Sequence, residues 1–189
     1  MTPASSGEAL MNVTVLNLLN KNVNVTLNMN GVIKTCYSST TYDFIDTTNN
    51  KAYNNSVDDE PPTSLSPIGE TELSSGAYTN ISSSDDNYFA LTSTTHPYHR
   101  FNITINETVS EIAQITISWE GHSDSSSTVN LYVYNFTSGS WGSSLASDSG
   151  TSDYTLSKTF TSGFSDIINS GKISVLIQDP EFKNKVEVS

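Results

Sequence analysis

Apolar residues along this chain recur at every second position. That is the period of a strand with one buried face, and it constrains the fold more than any other feature. Residues 12–17 (NVTVLN) place Val13 and Val15 on one face, and 22–28 (NVNVTLN) do the same with Val23, Val25 and Leu27. Asn30-Gly31 separates 22–29 from 32–38, and both residues tolerate the positive φ that a type I′ hairpin turn needs. Residues 41–45 (TYDFI) add a short strand. From residue 85 the strands become regular, at 86–92, 99–105, 112–120, 128–136, 154–160 and 172–178. Ile115, Ile117 and Trp119 alternate strictly, with Ile112 before them. In 128–136, Val129, Leu131 and Val133 face one way and Tyr132, Tyr134 and Phe136 the other, so both faces are expected to be covered. One short helical turn is predicted near 163–170 (GFSDIINS), closed by Gly171. Many short strands with turn signals between them predict an all-β fold, an antiparallel β-sandwich.

Two stretches break the pattern. Residues 1–11 are polar and read as a flexible N-terminal arm. Residues 46–84 hold Asn49-Asn50, Asn54-Asn55, Asp58-Asp59-Glu60, Pro61-Pro62 and Pro67, and read as a long loop or linker. The roughly 50 residues before it would make a marginal domain alone. One sandwich over 12–182 is therefore expected, with strands 12–45 packing onto the rest.

Within 85–179 the carrying strings are Asp86-Asn87-Tyr88-Phe89, Phe101-Asn102-Ile103-Thr104-Ile105 and Ile117-Ser118-Trp119-Glu120-Gly121. Residues 131–141 (LYVYNFTSGSW) and 166–171 (DIINSG) complete the set. This segment resembles a jelly-roll-like β-sandwich module that recurs in secreted and surface proteins of archaea and some bacteria. The resemblance implies fold and location rather than a reaction, and leaves residues 1–60 unexplained.

Composition bounds the partners. The chain has 8 Lys and Arg against 20 Asp and Glu, a formal charge of −12. So few cations cannot neutralise a run of phosphates, which argues against nucleic-acid binding and against anionic membrane surfaces. No apolar run approaches the roughly 20 residues needed to span a bilayer, so no membrane insertion is expected. Cys36 is the only cysteine, which excludes an intramolecular disulfide. It is expected as a small buried hydrophobe. A secreted-type chain without disulfides points to a prokaryotic surface protein or a virion protein. Residues 1–7 carry neither the basic nor the apolar region of a leader. Sequons stand at Asn12, Asn24, Asn54, Asn80, Asn102, Asn106 and Asn135. With 55 Ser and Thr and 19 Asn, about 5.5 would arise by chance, so N-glycosylation is permitted rather than indicated.

No catalytic signature stands out. Gly121-His122-Ser123-Asp124-Ser125 lacks the last glycine of a nucleophile elbow, and no enzyme activity is expected. His96-Pro97-Tyr98-His99 reads either as a loop pair of metal ligands or as a turn set by Pro97 with solvent-facing rings. Trp119, Tyr132, Tyr134 and Trp141 read as a carbohydrate-binding set, if exposed, because flat rings grip the apolar faces of sugars. The competing reading packs Trp119 in the core. Carboxylates at strand ends suggest calcium, with Asp85, Asp86 and Asp179 as the expected ligands, against the reading of solvated charge.

The chain is thus expected to be a non-catalytic extracellular surface protein, a structural or adhesive subunit of a filament, sheath or layer. A carbohydrate-binding module that takes a surface glycan is the alternative, and a viral capsid or spike protein the second. Self-association is the expected partnership. Residues 10–17, with Val13 and Val15, are read either as a strand donated to a neighbour or as the first strand of their own sandwich.

Overall fold

The computed structural model describes residues 12–17, 38–82, 88–123, 127–180 and 185–188. Two six-stranded sheets form, and every ladder in them is antiparallel. The first holds β1 (Asn12–Asn17), β2 (Ser38–Tyr42), β5 (Phe89–Thr92), β7 (Ile112–Ser123), β10 (Tyr154–Phe160) and β12 (Lys185–Val188). Its order is β2-β1-β7-β12-β5, with β10 also paired to β7. The second holds β3 (Lys51–Val57), β4 (Thr71–Glu72), β6 (His96–Thr104), β8 (Thr128–Val133), β9 (Ala146–Ser149) and β11 (Lys172–Gln178). Its order is β4-β3-β6-β11-β8-β9. The fold is the all-β sandwich the alternation predicts.

The core is made by the inward positions of both sheets. Ile115, Ile117 and Trp119 from β7 meet Phe101 and Ile103 from β6, with Val129, Leu131, Ile173, Val175 and Ile177 beside them. Every one of these side chains is fully buried. Each contributes on the order of 1.5–3 kcal/mol, which is why register is strictly set here: a one-residue slip would turn the row out to solvent.

The helical turn falls where expected, as α2 (Phe164–Ile167) inside 163–170. Gly171 follows at φ 72°, and a Cβ there would stand 3.2 Å from the Ile105 carbonyl oxygen, so a side chain is disfavoured both by conformation and by space.

Beyond shifted strand ends, such as the expected 41–45 against β2 at Ser38–Tyr42, the structure departs from expectation in four places. Residues 46–84 are no simple loop. They hold β3, β4 and a helix, α1 (Ser75–Asn80), capped by the Ser74 hydroxyl on the Ala77 N–H. The Lys51–Val57 segment (KAYNNSV) has no apolar alternation, yet pairing along the whole edge of β6 makes it a strand, tertiary context overriding propensity. Next, β6 begins at His96 rather than 99. Pro97 fits because it needs only to accept there, from the Asp179 N–H at 3.1 Å. Third, β8 stops at Val133, and Asn135–Ser140 closes a turn in which Asn135 bonds back to the Ser140 carbonyl at 2.9 Å. Finally, β9 and β12 were not expected, and β12 lies past residue 182. The arm at 1–11, the Asn30-Gly31 hairpin and Cys36 lie outside the described residues.

Candidate functional site

Residues that alternate with the core project from the outer side of the second sheet, and most of the expected sugar-binding aromatics arrive there. Tyr98, Tyr132, Trp141 and Leu176 form a separate apolar cluster, with Val57, Leu65 and Tyr134 packed against it. The segment between β3 and β4 returns over this face. The Trp141 indole N–H donates to the Ser64 carbonyl at 3.1 Å, and the Gln178 amide donates to the Asp59 carbonyl at 3.0 Å. The Asn130 amide donates to Glu60 Oε1 at 3.3 Å. Burial pushes the Tyr132 hydroxyl up to about 12, helped by the Glu60 carboxylate.

The carbohydrate-binding expectation for these aromatics is corrected on that evidence. Trp119 is 0% exposed in the main core, and Tyr132 and Trp141 are each 3% exposed beneath the returning segment. Only Tyr134 stays half-buried, edge-on to Trp141 at 5.0 Å between centroids. Sequence proximity of aromatics cannot reveal that a segment some 75 residues earlier folds back over them.

At the centre of that cover sits an ion pair that the sequence reading missed. Arg100 donates to Glu70 through Nε at 2.8 Å and Nη2 at 2.6 Å, a two-pronged contact with both side chains less than a tenth exposed. Asn102 accepts from Arg100 Nη1 at 2.7 Å, Tyr98 donates to Glu70 at 3.0 Å, and the guanidinium lies 4.3 Å over the Tyr53 ring. One signal was available. Arg100 is the only arginine in the chain and stands in an apolar strand, where a charge needs a partner.

Beside β3 and α1 opens a cleft of about 510 Å³ lined by Phe44, Ile45, Lys51, Glu72, Leu73 and Tyr78, with four Ser and Thr hydroxyls on its walls. Lys51 and Glu72 pair across it at 2.9 Å, and Tyr78 donates to Glu72 at 3.2 Å. The Lys51 ammonium holds the Glu72 carboxyl below its usual range, while burial pushes the Tyr78 hydroxyl up to about 12. An apolar floor with a charged pair and hydroxyls on its walls suits a small polar ligand with one hydrophobic face.

Neither reading of the His pair holds. Both side chains are buried, His96 at 6% and His99 at 0% exposure. Three residues apart on a strand, they project to opposite faces and cannot share a metal. His99 lies against Phe89 and Phe101, its two ring nitrogens lack partners, and burial drives it down to about 3.

Of the expected calcium ligands, Asp85 and Asp86 lie outside the described residues. Asp179 is fully buried at the end of β11 and accepts from the Ser123 hydroxyl at 3.0 Å and from Ser127. Among the described residues no three His, Cys, Asp or Glu side chains gather as metal ligands.

The sequons divide by exposure. Asn102 is taken up by Arg100 and Ser174, the Asn80 amide donates to the Tyr88 carbonyl, and Asn135 accepts from the Ser138 N–H. Asn54 is half-buried in β3 and Asn106 is exposed. Asn24 and the side chain of Asn12 lie outside the described residues.

The remaining candidate is the strand at 12–17. Its backbone runs between β2 and β7, with Val13 opposite Ile117 and Val15 opposite Ile115. On the same flank of β7, β12 takes only 121–123, while β10 occupies the other flank.

The chain is 27% identical over 124 residues to the uncharacterized protein YvnB of Bacillus subtilis (strain 168). That stretch is 64% of this chain but only 9% of YvnB, so the chain spans a small part of that relative. No solved structure gives a significant match. Residues 47–189 match the family model AF_1625_C, described as "Uncharacterized protein, C-terminal domain". That match covers most of the sequence but omits β1 and β2, and the chain belongs to this family of C-terminal domains.

Proposed function

We propose that the chain is a non-catalytic, extracellular structural subunit, the sandwich module of a surface filament, sheath or layer. The observation that carries the reading is the closing of the second sheet's outer face. Aromatics that a glycan would need are packed under residues 58–70 and pinned by a buried ion pair, so this face supports rigidity. The first sheet offers a contact surface of another kind. Thr41, Thr14, Thr116 and Thr159 are register partners in one row across β2, β1, β7 and β10. Ser118 and Ser157 bond beside that row at 3.2 Å. That uncharged row on a chain of charge −12, with Glu120 sharing the face opposite Thr155, is where copies can approach with reduced like-charge repulsion.

Negative-stain microscopy of the purified full chain, with and without calcium, tests the proposal. Filaments or sheets support it, and their dependence on calcium would bring in the acidic loops. Dispersed monomers in both conditions overturn it. A second reading, glycan binding, rests on the cleft between β3 and α1 rather than on the buried aromatics. Soluble glycans that raise the melting temperature, with the effect lost in Lys51→Ala, would favour it.

A further inference from the structure

We infer that two copies of this chain pair through a knob and a cleft: Ile68 of each enters the cleft between β3 and α1 of the other. The inference rests on the assembly reading above and names a contact for it.

The knob is a rigid one. Among the described residues two large apolar side chains are exposed, Ile68 fully and Ile45 at 73%. A lone exposed Ile is ordinary on a protein surface, but Ile68 sits on a fixed turn. The Glu70 N–H donates to the Pro67 carbonyl at 3.4 Å, which puts Ile68 at the corner, and Gly69 at φ 94° stands where a type II turn needs positive φ. The Asn55 amide donates to the Ile68 carbonyl at 3.1 Å, and Arg100 clamps Glu70 from beneath. Such a turn loses little freedom when a partner covers it, so the gain from burying its Ile is not offset by ordering.

The cleft is apolar where a knob would seat. Phe44, Leu73 and Tyr78 are its buried residues, and Ile45 is its exposed one. Ile45 is held as well, its N–H donating to Asp43 Oδ1 at 3.0 Å and its carbonyl accepting from the Thr47 N–H at 3.2 Å. At about 510 Å³ the cleft is ample for a branched aliphatic side chain.

Placement makes knob and cleft self-complementary. Asn55 holds the knob and Lys51 lines the cleft, so the two stand at opposite ends of β3, four residues or about 13 Å apart along the β4 edge of the second sheet. A two-fold axis across that edge sets each Ile68 on the other copy's cleft, an isologous contact. Charge favours a second copy as the occupant. Residues 61–69 (PPTSLSPIG) carry no ionised side chain, on a chain of charge −12 whose copies otherwise repel, and Lys51 and Glu72 neutralise each other in the cleft. The contact closes as a pair. A filament then needs a second contact, and the threonine row lies on the other sheet.

Cross-linking and sedimentation of the full chain test the inference. Chains with Ile68→Cys are mixed with chains with Thr47→Cys, joined by a short bismaleimide, and their linked peptides read by mass spectrometry, which also tells apart any link through Cys36. Ser149→Cys, exposed on β9 at the far edge of the same sheet, is the control partner. Links from 68 to 47 between chains should dominate. In sedimentation, Ile68→Asp and Ile45→Asp should each raise the concentration at which pairs form by about a hundredfold, because each strips apolar contact from both halves of a two-fold pair. Both positions are exposed, so circular dichroism should match the parent's. Pairing unchanged in both variants, or 68-to-47 links no more abundant than 68-to-149 links, overturns the inference. Pairs without filaments in the parent would uphold the contact and sink the filament reading. Filaments that persist in Ile68→Asp would do the reverse.

Discussion

Removing one half of the Arg100–Glu70 pair should be among the most damaging single changes in this protein. Glu70→Ala leaves a guanidinium 97% removed from solvent, holding only Asn102 and the Tyr53 ring as partners, and leaves the Tyr98 hydroxyl without its acceptor. Stranding a buried charge costs about 3–5 kcal/mol. In a chain of this size each kcal/mol lowers the melting temperature by about 2–4 °C, so a fall of roughly 6–20 °C is expected. The assay is urea unfolding followed by circular dichroism and by tryptophan fluorescence, the latter reporting on Trp119 in the core together with Trp141 under the cover. Replacing both partners, Glu70→Leu with Arg100→Met, should recover most of the loss, because the desolvation penalty leaves with the charges. A Glu70→Ala cost under about 1 kcal/mol, the value of an exposed pair, would refute the claim that this face is closed.

Three further outcomes follow from the same coordinates. Trp141→Ala should destabilise by about 3–5 kcal/mol, as for a large buried aromatic, whereas a surface sugar-binding residue would cost little; the same unfolding assay decides. His99, neutral in the fold down to about pH 3, charges freely near pH 6.5 when unfolded, so its contribution is complete above 6.5 and is lost as pH falls toward 3. That slope is about 1.4 kcal/mol per pH unit, and a His99→Leu variant should show a flatter stability profile between pH 6 and 4. Gly171→Ala should cost about 1–2 kcal/mol, since it forces a side chain to φ 72° and against the Ile105 carbonyl; a neutral effect by thermal melting would place that backbone elsewhere.

The legible part of this fold was the part whose signal is local. Ile115, Ile117 and Trp119 announce β7 by alternation, and Gly171 with the preceding turn marks α2. β3 was illegible because KAYNNSV has no period of its own and is a strand only through its pairing with β6. The aromatic site failed for a related reason. Trp141 and Tyr132 look the same in sequence whether solvent or Leu65 lies above them, and the covering segment comes from the stretch read as a linker. His99 misled because Pro97 reads as a turn, while in the sheet its missing N–H is no loss. The cleft at Phe44 and Tyr78 joins two separate segments, 44–51 and 72–82, and no spacing rule connects them.

Sedimentation velocity on the full chain across a wide concentration range tests the assembly claim most directly. The account predicts species heavier than the 20.5 kDa monomer that grow with concentration and that persist in high salt, because the contact row of Thr41, Thr14, Thr116 and Thr159 carries no charge. A single 20.5 kDa boundary at every concentration would contradict it.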